Sequence, residues 1–133
     1  MLWYVNNHQD EFDNTHVYFA THNIQGIRSY PVPSGNLTRR AFIKIFPFDN
    51  ELCVQTCTST QISNMMASTY YRYSQESDIV YSGSYTKAIT ISFIADSSYS
   101  NRRYQTSYIK YDVTAKQAFE IYLRTMKQLG VAI

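Results

Sequence analysis

Three histidines, two cysteines and a scatter of carboxylates are the side chains of this sequence best suited to chemistry. A transition-metal site would draw on His8, His16, His22, Cys53 and Cys57. None of these falls at the tight spacing of a zinc signature such as Cys-x₂-Cys or His-Glu-x-x-His. They read as loop and strand-face residues without a ligand role, although His16 could meet Asp10 or Asp13 in space. A His–Asp couple built from His16 or His22 and an amino-terminal acid is a conceivable geometry, yet no nucleophile is marked by a strand-turn-helix glycine pattern. The acids Asp49, Glu51, Asp78, Asp96 and Asp112 mostly flank turns, where a short carboxylate satisfies backbone donors. Gly26, Gly35, Gly83 and Gly130 stand apart, so no glycine-rich loop is available to cradle a phosphate. These patterns predict no metal and no cofactor, and they weigh against an enzyme.

The other chemistry-bearing set is aromatic. The chain holds 13 tyrosines in 133 residues, and only 17% of its residues are charged. Tyr104, Tyr108 and Lys110 share one side of a strand by period-two alternation, and Tyr81 and Tyr85 are assigned to a strand paired with it. Arg102 and Arg103 stand at the entrance of that strand, and Arg72 lies close to the same sheet in sequence. Exposed rings with basic groups beside them suit stacking on single-stranded nucleic acid. The net charge of +2 promises few phosphate contacts, however, and nucleic acid is the second reading. The first is protein interaction, since tyrosine and arginine are favoured at interface hot spots and charge is depleted there. A tyrosine-bearing face or an open edge strand also suits a homodimer. The expectation is therefore a non-enzymatic adaptor or inhibitor, with the compositional look of a small accessory protein from a phage or other mobile element.

The elements that must position these residues are read from periodicity. Leu2 to Val5 suggests a short strand, residues 6 to 14 a loop with a turn at Asp13-Asn14, and Thr15 to Thr21 a better strand. Ile27 to Tyr30 suggests a brief edge strand before a turn rich in proline. Ala41 to Phe46 reads as a central strand, forming a hairpin with Leu52 to Cys57. On one strand Cys53 and Cys57 would lie about 13 Å apart, too far for a disulfide, which points to a reduced compartment. A helix is expected from about 60 to 70, capped by Ser59 or Thr60, and giving way to extended chain. Ile79 to Tyr85 and Lys87 to Ala95 read as neighbouring strands, or one ribbon bent at Gly83. Residues 96 to 102 form a turn, and Tyr104 to Tyr111 is the return strand.

The terminal helix carries the clearest local code. Thr114 with Gln117 three residues on is a capping box, Ala115, Phe119, Tyr122, Met126 and Leu129 make a stripe, and Gly130 is a natural terminator. The fold class expected is α+β: one domain over 1–133, a two-layer sandwich of mostly antiparallel sheet, the long carboxy-terminal amphipathic helix and the shorter helix near 60–70. No apolar run approaches the 20 or so residues of a membrane span, and the amino terminus has no basic region or cleavage-like small residues, so a cytoplasmic, non-membrane protein is expected.

Overall fold

The computed structural model describes residues 1–23, 39–45, 49–69, 71–96 and 107–130. In chain order the elements are α1 (Leu2–Asn7), a 3₁₀ turn (Gln9–Phe12), β1 (Phe19–Asn23), α2 (Arg39–Ile45), β2 (Glu51–Thr58), α3 (Ser59–Ala67), β3 (Tyr71–Gln75), β4 (Tyr85–Ile91), α4 (Ser92–Ala95), β5 (Ser107–Thr114) and α5 (Ala115–Gln128). The five strands form one sheet in the order β3-β1-β4-β2-β5. This is the mixed α+β architecture expected, with the long helix at the carboxy-terminal end. All neighbours are antiparallel except β1 and β4, which run parallel with Phe19 opposite Ala88 and Ala20 opposite Ile89.

Because directly opposed residues share a face, the register defines two faces. The first carries Phe19, Thr21 and Asn23 of β1, Tyr71, Tyr73 and Gln75 of β3, Ala88 and Thr90 of β4, Cys53 and Gln55 of β2, and Tyr108 and Lys110 of β5. The second carries Ala20, Ile89, Ile91, Leu52, Val54 and Ile109. Central strands are buried on both faces: every residue from Ala88 to Ile91 is inaccessible to solvent. Each fully buried side chain such as Phe12, Phe19, Leu52 or Ile89 contributes roughly 1.5–3 kcal/mol. Trp3 of α1 meets Tyr122 of α5 edge-on, and Phe12 meets Tyr111 of β5, tying the amino-terminal segment to the helix and to the sheet edge.

Several elements differ from the sequence reading, each for a local reason. Leu2 to Val5 is helical: Tyr4 and Val5 are buried, and the Asn7 amide and His8 ring bond back to the carbonyls of Trp3 and Tyr4. The strand expected over 15–21 instead spans Phe19–Asn23. Ala41 to Phe46 is not a central strand. Arg39–Ile45 is helix α2, with Phe42 buried while Ile43 and Lys44 are exposed. A short apolar run does not distinguish strand from helix, and here the Arg, Ala and Lys positions favour helix. The hairpin with β2 therefore does not exist, and β2 pairs with β4 and β5.

Helix α3 starts one residue earlier than read, on a Thr58–Gln61 capping box, and gives way to β3. Gly83, at φ +66, sits in a tight turn closed by Ser82 and Tyr85, so the ribbon expected before it is not a strand. The strand expected to run on to Ala95 stops at Ile91, where its pairing with Leu52 ends, and α4 follows. Strand β5 begins at Ser107 and runs to Thr114. Helix α5 follows the code closely: the Thr114–Gln117 box is formed, and Gly130 takes φ +73. Its stripe is looser than read, with Ala115 and Ala118 buried and Leu129 68% exposed. The brief strand over 27–30, its proline turn and the turn over 96–102 lie wholly or largely outside the described residues.

Candidate functional site

The first face is floored by small and polar side chains. One row across it runs Tyr73, Thr21, Thr90, Cys53, Lys110. In its middle the Thr21 hydroxyl donates to Thr90 Oγ1 at 2.9 Å, and the Thr90 hydroxyl reaches the Thr21 carbonyl at 3.3 Å. Both threonines are buried. At one end of the row, the Tyr73 ring stacks on Phe19 with centroids 5.5 Å apart and planes 21° apart. Phe19 is wholly buried and Tyr73 is 47% exposed, so a backing ring holds an open one. Diagonally across from Tyr73 on the same face is Asn23, whose Oδ1 is shielded from solvent with no hydrogen-bond partner among the described residues. Diagonal neighbours of an antiparallel pair lie about 7–8 Å apart, within reach of one ligand. The exposed π-face of Tyr73 can stack a flat heterocycle, whereas Asn23 Oδ1 is covered.

At the other end of the row, Asp96 accepts hydrogen bonds from the Tyr108 hydroxyl and from Lys110 Nζ, the latter at 3.2 Å. The phenol and the ammonium hold the Asp96 carboxyl below its ordinary range, and the carboxylate in turn raises both partners. Glu51 is likewise lowered, by its own backbone N–H and by the Ser92 hydroxyl 3.0 Å from Oε2. Burial pushes the Cys53 thiol up to about 12, which keeps it protonated and a poor nucleophile. Four strand spacings separate the ends of the row by about 19 Å. One small ligand cannot span Tyr73 and Lys110.

The histidines are spent on structure. His16 Nε2 lies 2.9 and 3.0 Å from the two oxygens of Glu76, with Gln9 3.1 Å from its Nδ1. Its partner is thus Glu76, not Asp10 or Asp13. Asn6 also donates to Glu76, at 3.0 Å, so the carboxylate clasps the amino-terminal segment to the end of β3. His8 stacks on Tyr4, and burial lowers the pKa of His22, which favours its neutral form. Among the described residues no three His, Cys, Asp or Glu side chains converge to hold a metal ion.

The residues singled out from sequence are dispersed. Tyr108 and Lys110 share the first face and meet through Asp96, whereas Tyr85, opposite Thr58, projects from the second. Tyr81 precedes β4, outside the strands. Arg72 is exposed on β3, on the second face opposite His22. Tyr104, Arg102 and Arg103 lie outside the described residues. The Phe19–Tyr73 stack and Asn23 were not singled out, because they converge only through the β1–β3 register.

Residues 4–126 match the family model described as 5'-nucleotidase, C-terminal domain. The chain belongs to that family. The fold agrees: the crystal structure of a 5'-nucleotidase precursor from Thermus thermophilus is similar with a TM-score of 0.71 and 19% identity, over 100% of this chain and 31% of that one. The chain thus spans about a third of the nucleotidase it resembles. No curated protein matches it. Membership of a nucleotidase domain family overturns the expectation of a non-enzymatic adaptor or inhibitor. The physical reason for the error is that this domain family is recognised over its whole length, residues 4–126, and not by a short catalytic motif. Tyrosine content was an indirect guide, since Tyr4 and Tyr71 are buried and Tyr4, Tyr108 and Tyr111 bond to acids within this fold.

Proposed function

We propose that this chain is the carboxy-terminal domain of a longer 5'-nucleotidase, in which it binds and orients the nucleoside half of a nucleoside 5'-phosphate. The observation that carries the reading is the family match over residues 4–126. The local geometry supports it. The Tyr73 ring, held on Phe19, offers a stacking surface of the kind nucleobases use. A nucleoside held there by its base leaves its 5'-phosphate directed to groups supplied by the rest of the enzyme. In this reading the domain contributes positioning, which lowers the barrier by converting an encounter into an oriented complex. The reacting groups belong to the part of the polypeptide outside these 133 residues, in keeping with the chain's 31% share of the similar nucleotidase.

The test is release of inorganic phosphate by the whole polypeptide carrying this domain, supplied in parallel with nucleoside 5'- and 3'-monophosphates. Release from the 5'-isomers, and little from the 3'-isomers, is expected. No release from either, in a folded preparation, would refute the assignment.

A further inference from the structure

Strand β3 is an edge of the sheet, and residues 72 to 75 are all exposed. The direction of its backbone groups can be deduced. The Glu76 N–H donates inward to the Tyr18 carbonyl at 3.0 Å, so by strand alternation Ser74 and Arg72 also point their amides and carbonyls toward β1. Those of Tyr73 and Gln75 therefore point outward, where no strand pairs with them among the described residues. Edges of this kind are usually blunted by a charge, and Arg72 would serve that purpose against most strands. Against its own copy it does the opposite.

We propose that β3 pairs antiparallel with β3 of a second copy of this chain, about a two-fold axis through Ser74. In that register Tyr73 faces Gln75 of the other copy, and the four outward N–H and carbonyl groups of each strand close two hydrogen-bonded pairs. Ser74 faces Ser74, and Arg72 faces the second copy's Glu76, twice by symmetry. These are non-hydrogen-bonded positions, where side chains approach most closely. Arg72 has no ion-pair partner among the described residues, and the Glu76 carboxylate already lies beside His16 and Asn6 with its side chain 37% exposed. Shifting the register by two residues, so that Tyr73 faces Tyr73, also satisfies the backbone but sets Arg72 opposite Ser74. Of these two registers the charges favour the one about Ser74. The pairing is isologous and closes on itself, so it gives a dimer and not a fibre. It also brings Gln75 of the second copy beside Tyr73, on the same face. The pairing does not rest on the nucleotidase reading.

The test begins with the unmodified chain. Amide hydrogen exchange is followed at low and high protein concentration, alongside sedimentation equilibrium. The Tyr73 and Gln75 amides should gain protection as dimer forms, while the Ser74 amide, already paired inward, changes little. Arg72→Glu should raise the dimer dissociation constant on the order of tenfold, because both cross-strand pairs become repulsive. Gln75→Pro, which removes an outward N–H and leaves the inward ladder intact, should weaken the dimer as well. A chain that stays monomeric at every concentration overturns the proposal. So does a dimer in which the Tyr73 and Gln75 amides exchange as fast as in the monomer.

Discussion

Phe19 and Tyr73 stack across the β1–β3 pair with their centroids 5.5 Å apart, one ring sealed in the core and the other open on the sheet face. In the proposed nucleoside-binding role, the pair links packing to function. Phe19 is held by the parallel pairing of β1 with β4, and its ring fixes the plane of Tyr73 without covering it. A ring already held in place loses less entropy on binding than a free one, which is the usual advantage of a preorganised site.

Beneath that platform, the Thr21–Thr90 hydroxyl pair joins β1 to β4. Thr90→Val strands the buried Thr21 hydroxyl and should cost about 1–3 kcal/mol in urea unfolding. The double replacement of Thr21 and Thr90 by Val should cost less than the sum of the two single changes, since it removes both unsatisfied groups. Additive costs would mean that the hydroxyls do not act as a pair.

Helix α5 depends on its first turn. The Thr114 hydroxyl accepts the Gln117 N–H at 3.1 Å, and Gln117 Oε1 accepts the Thr114 N–H at 2.9 Å. Thr114→Ala should lower stability by about 1 kcal/mol and Tm by roughly 3–6 °C. Circular dichroism melts would show this, and Thr114→Ser should recover most of the loss.

Two tyrosines make the fold sensitive to alkali. Burial, then hydrogen bonds to Glu11 and Asp13, push Tyr4 and Tyr111 up to about 12. An unfolded chain releases those protons near pH 10. Their stabilising contribution is therefore complete below about pH 10 and is lost as pH rises toward 12. Unfolding midpoints in urea should fall across that window, and Tyr4→Phe should flatten the fall. Tyrosinate absorbance should show the last phenols titrating near pH 12. Thirteen tyrosines titrating together near pH 10 would contradict the assigned environments.

What was legible in the sequence follows from the range of the interactions involved. The Thr114–Gln117 box, Gly130 and the helix near 60–70 are written within a few residues of one another, and the structure contains them. Arg39–Ile45 misled because seven residues around Phe42 satisfy strand and helix patterns alike, and so short a pattern does not decide between them. The approach of Asn23 to Tyr73, or of His16 to Glu76, depends on which strands become neighbours. Local periodicity carries no information about strand order, so the candidate site could not be read until the β3-β1-β4-β2-β5 sheet was known.

The most direct test of the nucleoside-binding role is the steady-state kinetics of Tyr73→Ala and Tyr73→Phe in the whole polypeptide, with adenosine 5'-monophosphate as substrate. Loss of one base-stacking ring is worth about 1–3 kcal/mol, so Tyr73→Ala should raise KM by roughly tenfold or more. The kcat should stay close to that of the unaltered protein, and Tyr73→Phe should behave like it. An unchanged KM for a folded Tyr73→Ala protein would contradict the account.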